Sequence, residues 1–244
     1  MSAFLQADWP APPGVCALVS QRDGLGVSSA PFDTFNLGTR CGDAVDAVAE
    51  NRRQLGAALA LPSRPRWLRQ VHGIGVAVEP GVDEPEADAS VTRTPGTVLA
   101  VLTADCLPVV IAARSGGTIA VAHAGWRGLC AGVLEATVAA MQVPSDGLVA
   151  WLGPAAGPRA YEVGKDVFDA FVSRDARARL AFQPTRPDHW NANLYTLARQ
   201  RLLDVGVQFV HGGVACTISE TDRYFSHRRD GRSGRMATLA WMTR

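Results

Sequence analysis

Short apolar runs flanked by glycine, proline and charged residues recur along the chain. They alternate with stretches whose apolar positions fall three and four apart. The first pattern predicts strands and the second amphipathic helices. Residues 14–20 read as a first strand, followed by a Gly/Ser/Pro-rich loop over 22–42. Asp43 is placed to cap a helix running to about Ala60, with Val45, Val48, Leu55 and Leu59 on one side. Pro62 and Pro65 end it. Strands are expected at 66–71 and 74–79, a polar loop over 81–86, and strands at 98–102, 109–113 and 118–122. Cys130, Val133, Leu134, Thr137, Val138 and Met141 keep the helical period and predict a helix over 128–142. A strand at 148–152 comes next, then a helix over 163–180 carrying Val167, Phe168, Phe171 and Val172. A loop over 183–189, a helix over 193–205 and a strand at 207–210 complete this part. The stretch 236–242 sets Met236, Thr238, Ala240 and Met242 against Ala237, Leu239 and Trp241, which predicts a last strand buried on both faces. No repeat, low-complexity tract or linker interrupts the interleaving, so one mixed α/β domain is expected.

One pair of strands carries a consequence for chemistry. Arg114-Ser115-Gly116-Gly117 reads as the turn of a hairpin between 109–113 and 118–122, which sets Val109 opposite Ala122. Cys106 and His123, 17 positions apart, then meet at one end of that hairpin. A thiolate beside an imidazole is either part of a metal site or a nucleophile with its base. His72, in Gln70-Val71-His72-Gly73, lies 34 positions before Cys106 and also stands beside a strand end. The three together supply a catalytic zinc set that leaves a fourth position open. These separations match no short zinc-finger spacing. Each residue taken alone reads equally as a core residue.

Composition narrows the rest. The chain has 244 residues, a net charge of +1, 47% hydrophobic and 19% charged residues. Such near-neutrality gives no attraction for nucleic acid or a membrane surface. Five cysteines at scattered spacing, with no CxxC pair, argue against a disulfide framework and for a reducing compartment. The first residues lack a basic region followed by an apolar one, so no signal peptide is read, and the cytoplasm is the expected location. The most apolar stretch, 97–113, is short for a membrane span and contains Asp105 and Pro108.

Two further groups bear on ligands. Residues 226–235 hold four arginines in a Gly-containing loop, Arg127 follows the His123 segment, and Arg22 heads the loop over 22–42. Guanidinium forks match phosphate and carboxylate oxygens, although a solvated, charged turn is the plainer reading. Gly153-Pro154-Ala155-Ala156-Gly157-Pro158 precedes Tyr161 and Glu162, where Glu162 could act as acid or base or the run could be a rigid turn. No GK[ST] follows, so it is not a P-loop.

Taken in order, several blocks resemble one family. They are Phe35-Asn36-Leu37-Gly38, Cys41-Gly42-Asp43, Glu50-Asn51-Arg52, Gln70-Val71-His72-Gly73, Ala87-Asp88-Ala89, Thr103-Ala104-Asp105-Cys106-Leu107-Pro108 and Ala122-His123-Ala124-Gly125-Trp126-Arg127-Gly128. Gly153-Pro154 with Tyr161-Glu162-Val163, Cys216-Thr217, Tyr224 to Asp230 and Gly234-Arg235-Met236-Ala237 follow. The chain resembles the bacterial multicopper polyphenol oxidase or laccase-domain family, also described as a family of purine nucleoside phosphorylases. The resemblance spans nearly the whole chain and implies a four-layer α/β/β/α sandwich forming a single domain over 1–244. It implies that His72, Cys106 and His123 bind zinc, with copper as the alternative.

The resemblance also implies a purine nucleoside and phosphate as ligands. Adenosine, inosine and S-methyl-5′-thioadenosine would undergo phosphorolysis, with some adenosine deamination by a metal-activated water. Arg22, Arg127, Arg228 and Arg229 are the expected phosphate binders, and Asp105 or Glu162 the proton shuttle. The chain is expected to be a monomer or homodimer. Copper-dependent phenol oxidation, the older attribution, fits poorly, because multicopper clusters need many histidines and this chain has five. One rival is a cysteine hydrolase or amidase with Cys106 as nucleophile, His123 as base and His72 orienting, as in peptidoglycan-precursor editing. A noncatalytic metal- or nucleotide-binding module is another. Two departures from the family pattern stand out. The family's Arg-x-Gly-Gly-Val-Ser loop is here one residue longer, from Arg22 to Ser28, and its Asp before the 193–205 helix is Asn193.

Overall fold

Alternation along residues 107–113 sorts side chains onto two opposite cores. Val109 and Ile111 enter one hydrophobic cluster, Val110 and Ala112 the other. A strand with apolar residues on both faces must be covered on both, and the rest of the fold supplies the covers. In this computed structural model residues 2–243 are described.

In chain order the elements begin with β1 (Phe4–Gln6), β2 (Val15–Ser20), α1 (Val45–Ala58), β3 (Val76–Val78), β4 (Ala89–Thr92) and β5 (Leu99–Thr103). The hairpin strands β6 (Leu107–Ala113) and β7 (Ile119–Ala124) come next, then α2 (Trp126–Ala131), α3 (Val133–Met141) and β8 (Leu148–Leu152). They are followed by β9 (Glu162–Gly164), α4 (Lys165–Val172), β10 (Phe182–Arg186) and β11 (His189–Ala192). The chain closes with α5 (Leu194–Asp204), β12 (Phe209–Gly212), α6 (His227–Asp230) and β13 (Met236–Met242).

A four-stranded sheet in the order β1-β2-β13-β5 faces a six-stranded sheet in the order β12-β8-β6-β7-β4-β3. Val19, Val101 and Ala240 from the first meet Val110, Val121 and Trp151 from the second in the middle core. The outer face of the four-stranded sheet buries Leu18, Ala100 and Leu239 against Leu55 of α1. The outer face of the six-stranded sheet carries α2 to α5 through Leu129, Leu134, Phe168 and Leu197. The layers are therefore α/β/β/α in one mixed α/β domain, as expected. Met236–Met242 is buried throughout and feeds both neighbouring cores. Among the described residues no helix is long and apolar enough to cross a membrane.

Several local expectations are corrected. Residues 66–71 form no strand, only isolated bridges from Arg66 to Leu99 and Arg69 to Glu86. Gln70 explains this: its side-chain amide takes both backbone groups of Leu102, donating to the carbonyl and accepting from the N–H, each at 2.8 Å. The helix over 128–142 breaks at Gly132, whose φ of 113° is left-handed, so α2 ends and α3 starts on it. The helix over 163–180 divides into β9, α4 and a 3-10 turn at Ala176–Ala181 capped by Asp175. The loop over 183–189 is a hairpin, β10 with β11, turning at Pro187-Asp188. Asp43 does not cap α1; Ala44 holds that position without a side-chain bond, and Val45 is 77% exposed. Asn193, the departure noted above, caps α5 by accepting the Thr196 N–H at 3.1 Å, so the cap survives the loss of charge.

Candidate metal centre

The hairpin turns as expected and pairs Val109 with Ala122 and Pro108 with His123. Cys106 precedes β6 and His123 lies on β7, so the register brings sulfur and imidazole to one sheet end. His72 reaches them from the turn before β3. Its φ of 61° is left-handed, a conformation that a non-glycine residue holds only under constraint.

Asp88 supplies that constraint. Its carboxylate accepts the backbone N–H groups of Val71 (3.2 Å), His72 (2.9 Å) and Gly73 (2.7 Å). It also accepts Nδ1–H of His123 at 2.8 Å. An ionised carboxylate only accepts, so Nδ1 keeps a proton in either charge state and Nε2 is the nitrogen that can turn to a ligand once it gives up its own. One fully buried aspartate thereby orients two candidate ligands. This is the outer-shell arrangement typical of metal-bound histidines.

The donor atoms of His72, Cys106 and His123 lie within 4.8 Å of one another. Sγ of Cys106 is 3.8 Å from Nε2 of His72. A tetrahedral zinc bound to one sulfur and one nitrogen would hold them about 3.6 Å apart, so the three residues fit a single ion. The two imidazoles meet edge-on, with ring centroids 4.7 Å apart. Gly125 makes room: a Cβ there would stand 2.9 Å from both Sγ of Cys106 and Cδ2 of His72. At Gly128 it would stand 2.7 Å from the Gly73 carbonyl oxygen.

Electrostatics follow from this packing. Burial pushes the Cys106 thiol up, but the charge and hydrogen bonds of His123 and His72 outweigh it and bring it to about 6. Burial pushes His123 down, while the Cys106 thiolate and Asp88 together raise it to about 9. Burial also opposes ionisation of Asp88, yet His123 and the N–H groups of Gly73 and Val71 hold it below the usual carboxylate range. Without metal the pair is a thiolate–imidazolium couple near neutral pH.

The donors open onto a cavity of ≈ 500 Å³ that also takes in Arg40, Arg52, Arg127, Arg235, His227 and Glu84. That volume suits a small organic ligand. Arg127 stacks on the Trp126 ring with its guanidinium carbon 4.4 Å from the centroid. It also lines a smaller neighbouring cavity of ≈ 330 Å³, with Tyr161, Glu162 and Arg228.

The structure brings His72, Cys106, His123 and Arg127 together and leaves other expected residues outside the larger cavity. Arg22 donates to the Thr221 carbonyl and pairs with Asp33 at 3.4 Å, pinning loops. Arg229 spends its donors on Asp230 and on the carbonyls of Thr217, Ile218 and Tyr224. Glu162 is clasped by Arg186 and Thr185. Arg186 and then Thr185 hold it down to about 2, so it carries no proton to donate near neutral pH. Arg228 borders the smaller cavity, where it stacks on Tyr161 and donates to the Glu162 carbonyl. Both carboxylate oxygens of Asp105 are taken by protein donors.

Sequence reasoning gave no role to Asp88, Arg40, Arg52 or His227, and took Arg235 only as one of the four arginines of the 226–235 loop. Asp88 had a visible signal, a lone acid between alanines entering a buried strand. Arg40 and Arg52 had none, because they lie far along the chain from the 226–235 loop and meet it only in the fold.

Residues 16–243 match the family described as multi-copper polyphenol oxidoreductase laccase. The chain is 59% identical to a purine nucleoside phosphorylase of Xylella fastidiosa over 253 aligned positions, covering 99% of this chain and 97% of that one. It is 52% identical to a purine nucleoside phosphorylase of Escherichia coli, covering 99% and 100%. A crystal structure of a Neisseria meningitidis protein superposes with a TM-score of 0.95 at 47% identity over the full length of both chains.

Proposed function

Because the chain belongs to the multi-copper polyphenol oxidoreductase laccase family, whose relatives at 59% and 52% identity carry the name purine nucleoside phosphorylase, we propose that it is a zinc-dependent purine nucleoside phosphorylase. The observation that carries this reading is the convergence of His72, Cys106 and His123, braced by Asp88, on a cavity that Arg127 also faces. Bound zinc would supply a fixed positive charge and Lewis acidity beside the reacting atoms. The single three-donor group found among the described residues suits one ion rather than a copper cluster. Copper-dependent phenol oxidation is therefore a side activity at most.

Adenosine, inosine and S-methyl-5′-thioadenosine are the proposed substrates, with adenosine deamination as a secondary reaction. Arg127 holds phosphate through its ring-stacked guanidinium. An oxygen of hydrogen phosphate then bonds to C1′ as the bond from C1′ to N9 breaks, and the base leaves with the proton that the phosphate gives up. Arg127 and the neighbouring cations steady the charge during that exchange. A nucleoside panel with and without phosphate tests this. Phosphate-dependent base release, abolished by dipicolinate and restored by zinc, is expected. Full activity in verified metal-free protein would overturn the zinc role.

One observation favours a second reading. The low thiol pKa of Cys106 beside a protonated His123 is also the resting state of a cysteine hydrolase. Stoichiometric alkylation of Cys106 by iodoacetamide that zinc does not block, together with amide hydrolysis, would support it over phosphorolysis.

A further inference from the structure

Asp105 immediately precedes the candidate ligand Cys106 and sits where the chain leaves β5 in one sheet for β6 in the other. Its φ is 83°, in the left-handed region, and the residue is 8% exposed. Three bonds fix it there. Oδ1 accepts the Thr217 hydroxyl at 2.6 Å, Oδ2 accepts the Arg228 backbone N–H at 2.6 Å, and its carbonyl accepts the Ala156 N–H at 2.9 Å. Thr217 is itself tied to the Ala155 carbonyl at 3.0 Å. Asp105 does not line the cavity that holds the three donors. A proton shuttle must reach the proton that it moves, whereas this carboxylate is committed to the protein on both oxygens.

We propose that Asp105 is a positioning residue, which locks the Cys106 turn and the helix α6 to a common point. The sulfur of Cys106 lies one residue along the chain from this knot. Arg228, whose N–H is held by it, reaches the smaller cavity that shares Arg127 with the larger one. The single carboxylate thus sets the separation between the metal donor and the arginine on α6. An asparagine there keeps the size but turns one acceptor into a donor. With its amide toward Arg228 it would set N–H against N–H; with its amide toward Thr217 it would reverse that bond, and either way the charge that strengthens both bonds is lost.

Zinc affinity, measured by competition with a chromophoric chelator, tests the idea without any substrate. Asp105→Asn is expected to weaken zinc binding roughly 10- to 100-fold, the range for loss of an outer-shell partner. Thr217→Val should weaken it by a smaller factor. In zinc-saturated protein both should raise KM for phosphate more than they lower kcat, with the limbs of the pH–rate profile unmoved. Combining Asp105→Asn with Arg228→Ala should raise that KM little beyond the larger single effect, as expected for coupled sites. Wild-type zinc affinity in Asp105→Asn, or a shifted pH limb in fully loaded protein, would overturn the proposal. If that variant fails to fold, wild-type zinc affinity in Thr217→Val does the same. The affinity measurement rests only on the metal centre, so a chain that binds zinc but performs no phosphorolysis would refute the functional reading and leave this one intact.

Discussion

His123 assigns a separate task to each ring nitrogen. Nδ1 is spent on Asp88 and Nε2 is left for the ligand, so Asp88 governs a donor it adjoins only through the ring. Asp88→Asn should lower zinc affinity by roughly 10- to 100-fold, read by chelator competition, because it also releases the N–H groups that hold His72. Gly125→Ala should weaken binding too, since its methyl would press on both Cys106 and His72. Protons enter the same balance. Between the Cys106 value of about 6 and the His123 value of about 9, the metal-free pair holds one proton that zinc must displace. Zinc affinity should therefore rise by about one log unit per pH unit across that window from this pair. Below about 6 the thiol is protonated as well and the fall steepens. Calorimetric titration in two buffers of different ionisation enthalpy would count the proton released at pH 7.5; a count of zero from the pair contradicts the couple.

Among the elements, α1 shows how a helix can serve a loop as well as a core. Its buried face is Val48, Asn51 and Leu55. Asn51 accepts the Val27 N–H and donates to the Ser28 hydroxyl and the Asn36 carbonyl, each at 2.8 Å. Replacing Asn51 by Leu takes a partner from the buried Ser28 and Asn36 as well as from the Val27 N–H, and should cost about 2–4 kcal/mol, visible as a lower urea midpoint. The hairpin of β6 and β7 was legible from sequence because its turn and its strands agree on one register, and so was the meeting of Cys106 with His123. The breaks in longer helices were not. Gly132 sits inside an unbroken apolar period, and its left-handed conformation leaves no mark on that period. Residues 66–71 have the composition of a strand, and a side chain, Gln70, takes the bonds that a strand would make. Val45 keeps the helical spacing but is the first residue of α1 and lies exposed.

For the whole molecule, two sheets share a middle core and each has its own outer core. The four-layer order was legible through the resemblance and through strands apolar on both faces, such as β13. The cavity was not, since Arg40, Arg52, Arg127 and Arg235 gather only after both sheets are closed. Metal that binds the native chain but not the unfolded one adds stability by mass action. Zinc at 100 times its Kd should add about 2.7 kcal/mol, measured as a rise in Tm that Cys106→Ala abolishes. Chelation should return the loaded protein to the Tm of the metal-free wild type.

The spacing of the donors along the chain sets an order of assembly on the ribosome. Cys106 and His123 are closed into proximity by a single local hairpin, and short loops cost less entropy to close than long ones. His72 and Asp88 have already emerged by then, but β4 finds β7 as its partner only once His123 is out. A nascent chain therefore cannot load its ion before His123, at about the midpoint of the sequence, has emerged.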